Sequence, residues 1–141
     1  GATNDPTTWS VHRIDADGTV TKILEAEASH RPNGIVFDAD GNIIVVNLLD
    51  DEVNTYDRDG KLLGTRHAAE GRNDGLVIME DGTLYITSVS FGSIHVLRPD
   101  DSKEVLAVGI PGAASMCFDE GGNQLVVPMN NSDALAYRPL N

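Results

Sequence analysis

This chain says the same thing twice, and that restricts its fold more than any other feature. Residues 31–47, "RPNGIVFDADGNIIVVN", return at residues 72–88 as "RNDGLVIMEDGTLYITS", an offset of 41 residues. In that register Arg31 meets Arg72, Asn33 meets Asp74, Gly34 meets Gly75, Asp40 meets Asp81 and Gly41 meets Gly82. A period of this length marks folds in which one supersecondary unit cannot bury its apolar faces alone and stacks on copies of itself.

The unit itself reads as β-structure. Turn signals come about every twenty residues, at "DADG" 15–18, "DADGN" 38–42, "DRDG" 57–60, "EDG" 80–82, "PDDS" 99–102 and "DEGGN" 119–123. Asp-Gly and Gly-Asn pairs supply the positive φ angles that tight hairpins require. Between them lie thirteen short segments rich in Val, Ile, Thr and aromatics, from "SVHRI" to "ALAYR". The stretch "ILEAEASH" has some helical character but is too short to outweigh its place in the repeat.

Four antiparallel strands per unit of about 40–50 residues is the pattern of a β-propeller blade. The expected organisation is one partial propeller over residues 1–141: a half blade at 9–30, blades at 31–71 and 72–110, and an incomplete blade at 111–141. In the last copy Phe118, Asp119, Gly122 and Asn123 repeat Phe37, Asp38, Gly41 and Asn42. Strands thus arrive two, four, four and three, which makes about three blades. A propeller closes with about four to eight blades, so the expectation is a half ring. Its open ends call for a partner: a second copy forming a homodimer, a companion half-propeller chain, or further blades of a longer product.

Composition narrows the partners. The net charge is −12 with a pI near 4.4, and no cluster of Lys or Arg interrupts it, which argues against nucleic acid. No apolar run approaches a bilayer span. The chain opens "GATND" without an initiator Met, so a processed product or a piece of something longer is expected and the compartment stays open, a secreted or periplasmic one included. Cys117, in "SMCFD", is expected to be a buried small hydrophobe. "NNS" at 130–132 reads as a sequon or as a polar loop.

The segments "PNGIVFDADGNIIVVN", "NDGLVIMEDGTLYIT" and "GIPGAASMCFDEGGNQLVVPMNNSDALAYRPL" resemble the senescence marker protein/gluconolactonase family of six-bladed propellers, with NHL-repeat propellers as more distant relatives. The ending is similar to that family's C-terminal blade. The resemblance implies a divalent metal, commonly calcium, at the channel mouth, held by an Asn before Gly, an Asp before Gly and a Glu from an early blade. Asn33 and Asp74 match the first two, with Asp74 also the implied general base for opening a sugar lactone; the Glu has no match. "RNDG" also resembles a second motif of the family, in which Arg72 and Asn73 contact the substrate and Asp74 is structural.

Read from the residues alone, Asn33 and Asp74 occupy equivalent places in successive blades and should face a shared channel mouth, whereas the third copy has Ala113 and Ala114 there. The competing reading makes Asn33-Gly34 and Asp74-Gly75 simple turn formers. Hard oxygen donors of this type suit calcium or magnesium. "DADG" lacks the spacing of an EF-hand. The four histidines show no metal-ligand spacing, and His30 is either a channel residue or a surface one. Two functions follow: a metal-dependent hydrolase of a sugar lactone or similar small ester, or a non-catalytic propeller that binds a small molecule or protein at its channel face.

Overall fold

In the computed structural model, which describes residues 4–25 and 30–140, the chain is all-β apart from one 3-10 turn, Pro6–Thr8. Its strands are β1 (Val11–Ile14), β2 (Val20–Leu24), β3 (Pro32–Phe37), β4 (Ile43–Asn47), β5 (Glu52–Tyr56), β6 (Leu62–His67), β7 (Asn73–Ile78), β8 (Leu84–Ser88), β9 (Ser93–Leu97), β10 (Lys103–Ala107), β11 (Cys117–Asp119), β12 (Gln124–Met129) and β13 (Ala134–Pro139). They form antiparallel sheets β1-β2, β3-β4-β5-β6, β7-β8-β9-β10 and β11-β12-β13. This is the propeller arc that the repeat predicts, with about three blades. Residues 26–29, part of "ILEAEASH" and of the expected half blade, lie outside the described residues. Among the described residues no helix is long and apolar enough to cross a membrane.

The turns show why the Asp-Gly pairs recur. In the β3–β4 hairpin Gly41 adopts φ 80° and donates its N–H to Asp38 O at 3.0 Å, while Asp38 Oδ1 accepts the N–H groups of Asp40 and Asn42. The hairpins at Gly18, Gly60 and Gly82 repeat this with φ 84–87°, a region that costs glycine little and other residues more. The Asp38, Asp17, Asp81 and Asp119 carboxyls are held below their ordinary range by the hydrogen bonds they accept in these turns, burial opposing the effect most strongly at Asp38.

The central strands of the two four-stranded sheets are largely buried on both faces because each of these sheets is sandwiched between neighbours. Every residue of β4 and of β9 is buried. Ile44, Val46 and Val53 pack against Leu76, Leu84 and Ile86 of the next sheet. Ile94 with Ile110 and Ala113 meets Leu125 and Val127, and Leu24 joins Ile43, Val45 and Tyr56 at the other end. The inner edges are β3, β7 and β11, since β3 packs on β7 and β7 on β11.

Both ends of the arc remain open. β1 and β2 leave one face of β3 uncovered, so Phe37 is 62% exposed beside a cleft of about 540 Å³. At the other end Cys117 is exposed, contrary to expectation. The reason is strand alternation: Phe118, Leu125 and Val127 face the preceding sheet, so Cys117 and the residues across from it, Val126 and Tyr137, fall on the outer face of the last sheet.

Candidate functional site

Asn33 and Asp74 do not sit in turns. Each is the second residue of an inner strand, β3 and β7, and Gly34 and Gly75 have no positive φ. The turn-former reading therefore fails, and the glycines are there for another reason. A Cβ on Gly34 would lie 2.5 Å from the Asp74 carbonyl oxygen, and one on Gly75 would lie 2.7 Å from that of Ala114. The inner strands approach so closely around the axis that only glycine fits.

Both Asx-Gly pairs also coincide with an irregularity in the ladder. Pairing steps from Pro32↔Asn47 to Ile35↔Val45, and from Asn73↔Ser88 to Leu76↔Ile86, three residues against two in each case. An inserted residue of this kind re-aims the side chains beside it. The freed Gly75 N–H is taken by Thr87 Oγ1 at 2.7 Å, and Thr87 donates to Ala114 O at 2.7 Å, tying adjacent blades together.

The result brings Asn33 and Asp74 together. Burial pushes the half-buried Asp74 carboxyl up, and a hydrogen bond from the Asn33 side chain partly offsets it. Arg72 is exposed, with Nη1 3.5 Å from Leu48 O of the preceding blade. Asn73 points the other way and is fully buried, with neither atom of its amide hydrogen-bonded among the described residues.

A backbone feature recurs just ahead of these residues in all three copies. Arg31 and Arg72 both adopt φ 62°, and Gly112, which stands where the third copy matches Arg31, adopts φ 66°. Left-handed geometry costs a non-glycine residue about 1–2 kcal/mol. The two copies with a polar Asx keep a strained Arg, whereas the copy with Ala114 in that place uses Gly. Such strain persists only where the surrounding structure enforces it.

Two further clusters lie at the same end of the sheets, each in a crevice where the lead-in to an inner strand meets the second hairpin of its own blade. His30 Nδ1 is 2.6 Å from Asp50 Oδ2 and 3.5 Å from Glu52 Oε2. One blade on, buried Ser93 donates to Glu70, and His95 Nε2 lies 3.6 Å from Glu70 Oε2, beyond hydrogen-bonding reach. Burial lowers the His95 imidazole, and the Glu70 charge opposes that. Neither cluster shows in residue spacing, because its members come from different strands and loops.

The fold is shared with solved propellers. A virginiamycin B lyase from Staphylococcus aureus superposes with TM-score 0.74 at 18% identity, over 94% of this chain and 45% of that one. A gluconolactonase from Xanthomonas campestris gives 0.72 at 23% identity, over 94% and 44%. The calcium-binding protein regucalcin from Agrobacterium tumefaciens gives 0.69 at 19% identity, over 93% and 55%. The chain thus spans about half the length of these structures. No curated protein matches it. The family described as SMP-30/gluconolactonase/LRE-like region matches residues 9–129, and the chain belongs to that family.

Proposed function

We propose that this chain forms the channel-side part of a metal-dependent hydrolase acting on a sugar lactone or similar small ester. The observation that carries the reading is the Asn33–Asp74 pair: two hard oxygen donors from successive blades, brought together at the inner edge by paired bulges and by glycines that permit no side chain. Their chemistry fits calcium, which takes six to eight oxygen ligands, so Asn33 and Asp74 would hold it and water or other segments would complete its shell. When bound, such an ion supplies Lewis-acid polarisation of the ester carbonyl. Asp74, its carboxyl pushed up from the ordinary range by burial, is the group for proton uptake from an attacking water. Exposed Arg72, strained at the same rim, is placed to orient a polar substrate. Asn73, buried as it is, acts behind the surface rather than on it.

One observation favours the binding-module reading. Among the described residues, Asp74 joins no group of three His, Cys or acidic ligands. Calcium-dependent lactone hydrolysis by the purified chain, lost in Asp74→Ala, supports the hydrolase. Calcium binding without turnover supports the binder. Turnover that neither chelation nor Asp74→Ala changes overturns the reading.

A further inference from the structure

We propose that His30, Asp50 and Glu52 form a site for a divalent first-row transition cation of the zinc type, separate from the oxygen pair Asn33–Asp74. Each of the three offers a ligand atom, and these atoms lie within 4.8 Å of one another. Two donors bound tetrahedrally to one zinc at about 2.0–2.2 Å stand about 3.4 Å apart. The 3.5 Å between His30 Nδ1 and Glu52 Oε2 already matches that edge, and the 2.6 Å to Asp50 Oδ2 opens to it with a shift of less than about 1 Å.

Both carboxylates are fixed by further hydrogen bonds. Asp50 Oδ1 accepts the Glu52 backbone N–H at 3.0 Å, leaving Oδ2 for the ion. Asn54 Nδ2 donates at 3.1 Å to Glu52 Oε2, the oxygen that faces His30 and keeps a second lone pair for the ion, and Asn54 Oδ1 accepts from Thr65 at 2.6 Å. Metal sites use outer partners of this kind to fix their ligands.

The repeat supplies an independent comparison inside the molecule. In the next blade the same crevice holds a His–carboxylate pair with the roles exchanged, Glu70 on the lead-in to β7 and His95 on β9. There the imidazole is sealed, 1% exposed, and the single carboxylate is satisfied by Ser93. The positions matching His30, Asp50 and Glu52 are Gly71, Phe91 and Ser93, none of them a ligand. Blade geometry alone therefore does not produce the triad. The first crevice differs by a second carboxylate and by a His30 side chain that is 51% exposed. A sealed pair serves packing, whereas an open one with two carboxylates can admit an ion and leave a position for water. The imidazole nitrogen selects against calcium and for zinc or cobalt.

The test is titration of the full chain with Co²⁺ and Zn²⁺ in buffer stripped of transition metals and supplied with excess calcium. Visible cobalt absorption, displaced by zinc, together with a higher melting midpoint in zinc, is the expected result. His30→Ala should weaken zinc binding by more than about 100-fold, and Asn54→Ala, which removes the support of Glu52, by about tenfold. Circular dichroism checks that each variant folds, and Asp50→Asn serves as a second ligand variant. Zinc binding unchanged in His30→Ala, or no cobalt signal at excess metal, overturns the proposal. Asp74→Ala separates the two sites: it should remove the calcium response and leave zinc binding intact.

Discussion

Gly34→Ala tests whether the close approach of the inner strands holds the Asn33–Asp74 pair together. The added methyl would lie 2.5 Å from Asp74 O, 2.8 Å from Val46 Cγ2 and 3.3 Å from Leu76 Cβ. An ordinary C···O contact is about 3.3–3.6 Å, so β3 and β7 must part by close to 1 Å, and both obstructing groups belong to packed strands. Overpacking of this kind costs about 1–3 kcal/mol. The loss of unfolded-chain entropy on Gly→Ala offsets about 0.4–1 kcal/mol of that. The net expectation is a loss of about 1–2 kcal/mol, or about 4–8 °C in melting midpoint for a domain of this size. Gly64→Ala is the control, because its new Cβ meets nothing within 4 Å, and it should be neutral or stabilising by up to about 1 kcal/mol. Thermal melts by circular dichroism with and without calcium give both readouts. Gly34→Ala should melt lower and respond less to calcium. If it melts at or above Gly64→Ala, the close-approach argument is wrong.

Thr87→Val preserves shape but strands the Gly75 N–H and the Ala114 carbonyl in a buried place; chemical denaturation should show a loss of about 2–4 kcal/mol, and a loss under 1 kcal/mol would mean other partners exist. Burial raises the folded pKa of Asp74, so its contribution to stability is present below the ordinary aspartate value and is lost as pH rises through the folded value. In chelator, Asp74→Asn should therefore match wild type at acid pH and exceed it at pH 7, with no such divergence if the carboxyl is solvated. Arg72→Gly relieves the φ 62° strain, so it should keep or raise stability by up to about 1 kcal/mol while weakening lactone binding; an unchanged KM removes Arg72 from the substrate side. We propose that the open ends associate, as a homodimer or with a companion half-propeller: Tyr137 is 59% and Leu135 51% exposed on one face. Light scattering should show mass rising with concentration, less so in Tyr137→Lys, and a monomer throughout would refute this.

The strands were legible because two local signals agree. β-branched runs such as "NIIVV" are bounded by Asp-Gly turns whose glycines do adopt positive φ. The identical local signal misleads at Asn33-Gly34 and Asp74-Gly75, where glycine answers a backbone contact with the next blade, Asp74 for Gly34 and Ala114–Met116 for Gly75, rather than a turn. No window of sequence contains that contact; only the repeat hints at it. Cys117 misled for a related reason, since "SMCFD" is apolar enough for a core but strand alternation decides which residue faces it.

The His30 cluster was hidden by distance along the chain, yet the hairpin encodes it. Antiparallel pairing keeps the sum of partner numbers constant, and Pro32↔Asn47 sets that sum at 79 beyond the bulge. Continued outward, residue 30 falls opposite residue 49, one step from Asp50. Glu52 then follows at the start of β5, which pairs back along β4, so it returns to the same end of the sheet. Extending a hairpin's register past its last bonded pair thus finds side chains that meet across a crevice, which a search for close ligand spacing passes over. Applied to the next hairpin, Asn73↔Ser88 gives a sum of 161 and sets Glu70 opposite Phe91, two residues before Ser93. The same arithmetic reaches both crevices, and the side chains found there, two carboxylates with an open imidazole in one and a serine-bound carboxylate with a sealed imidazole in the other, decide which can take an ion.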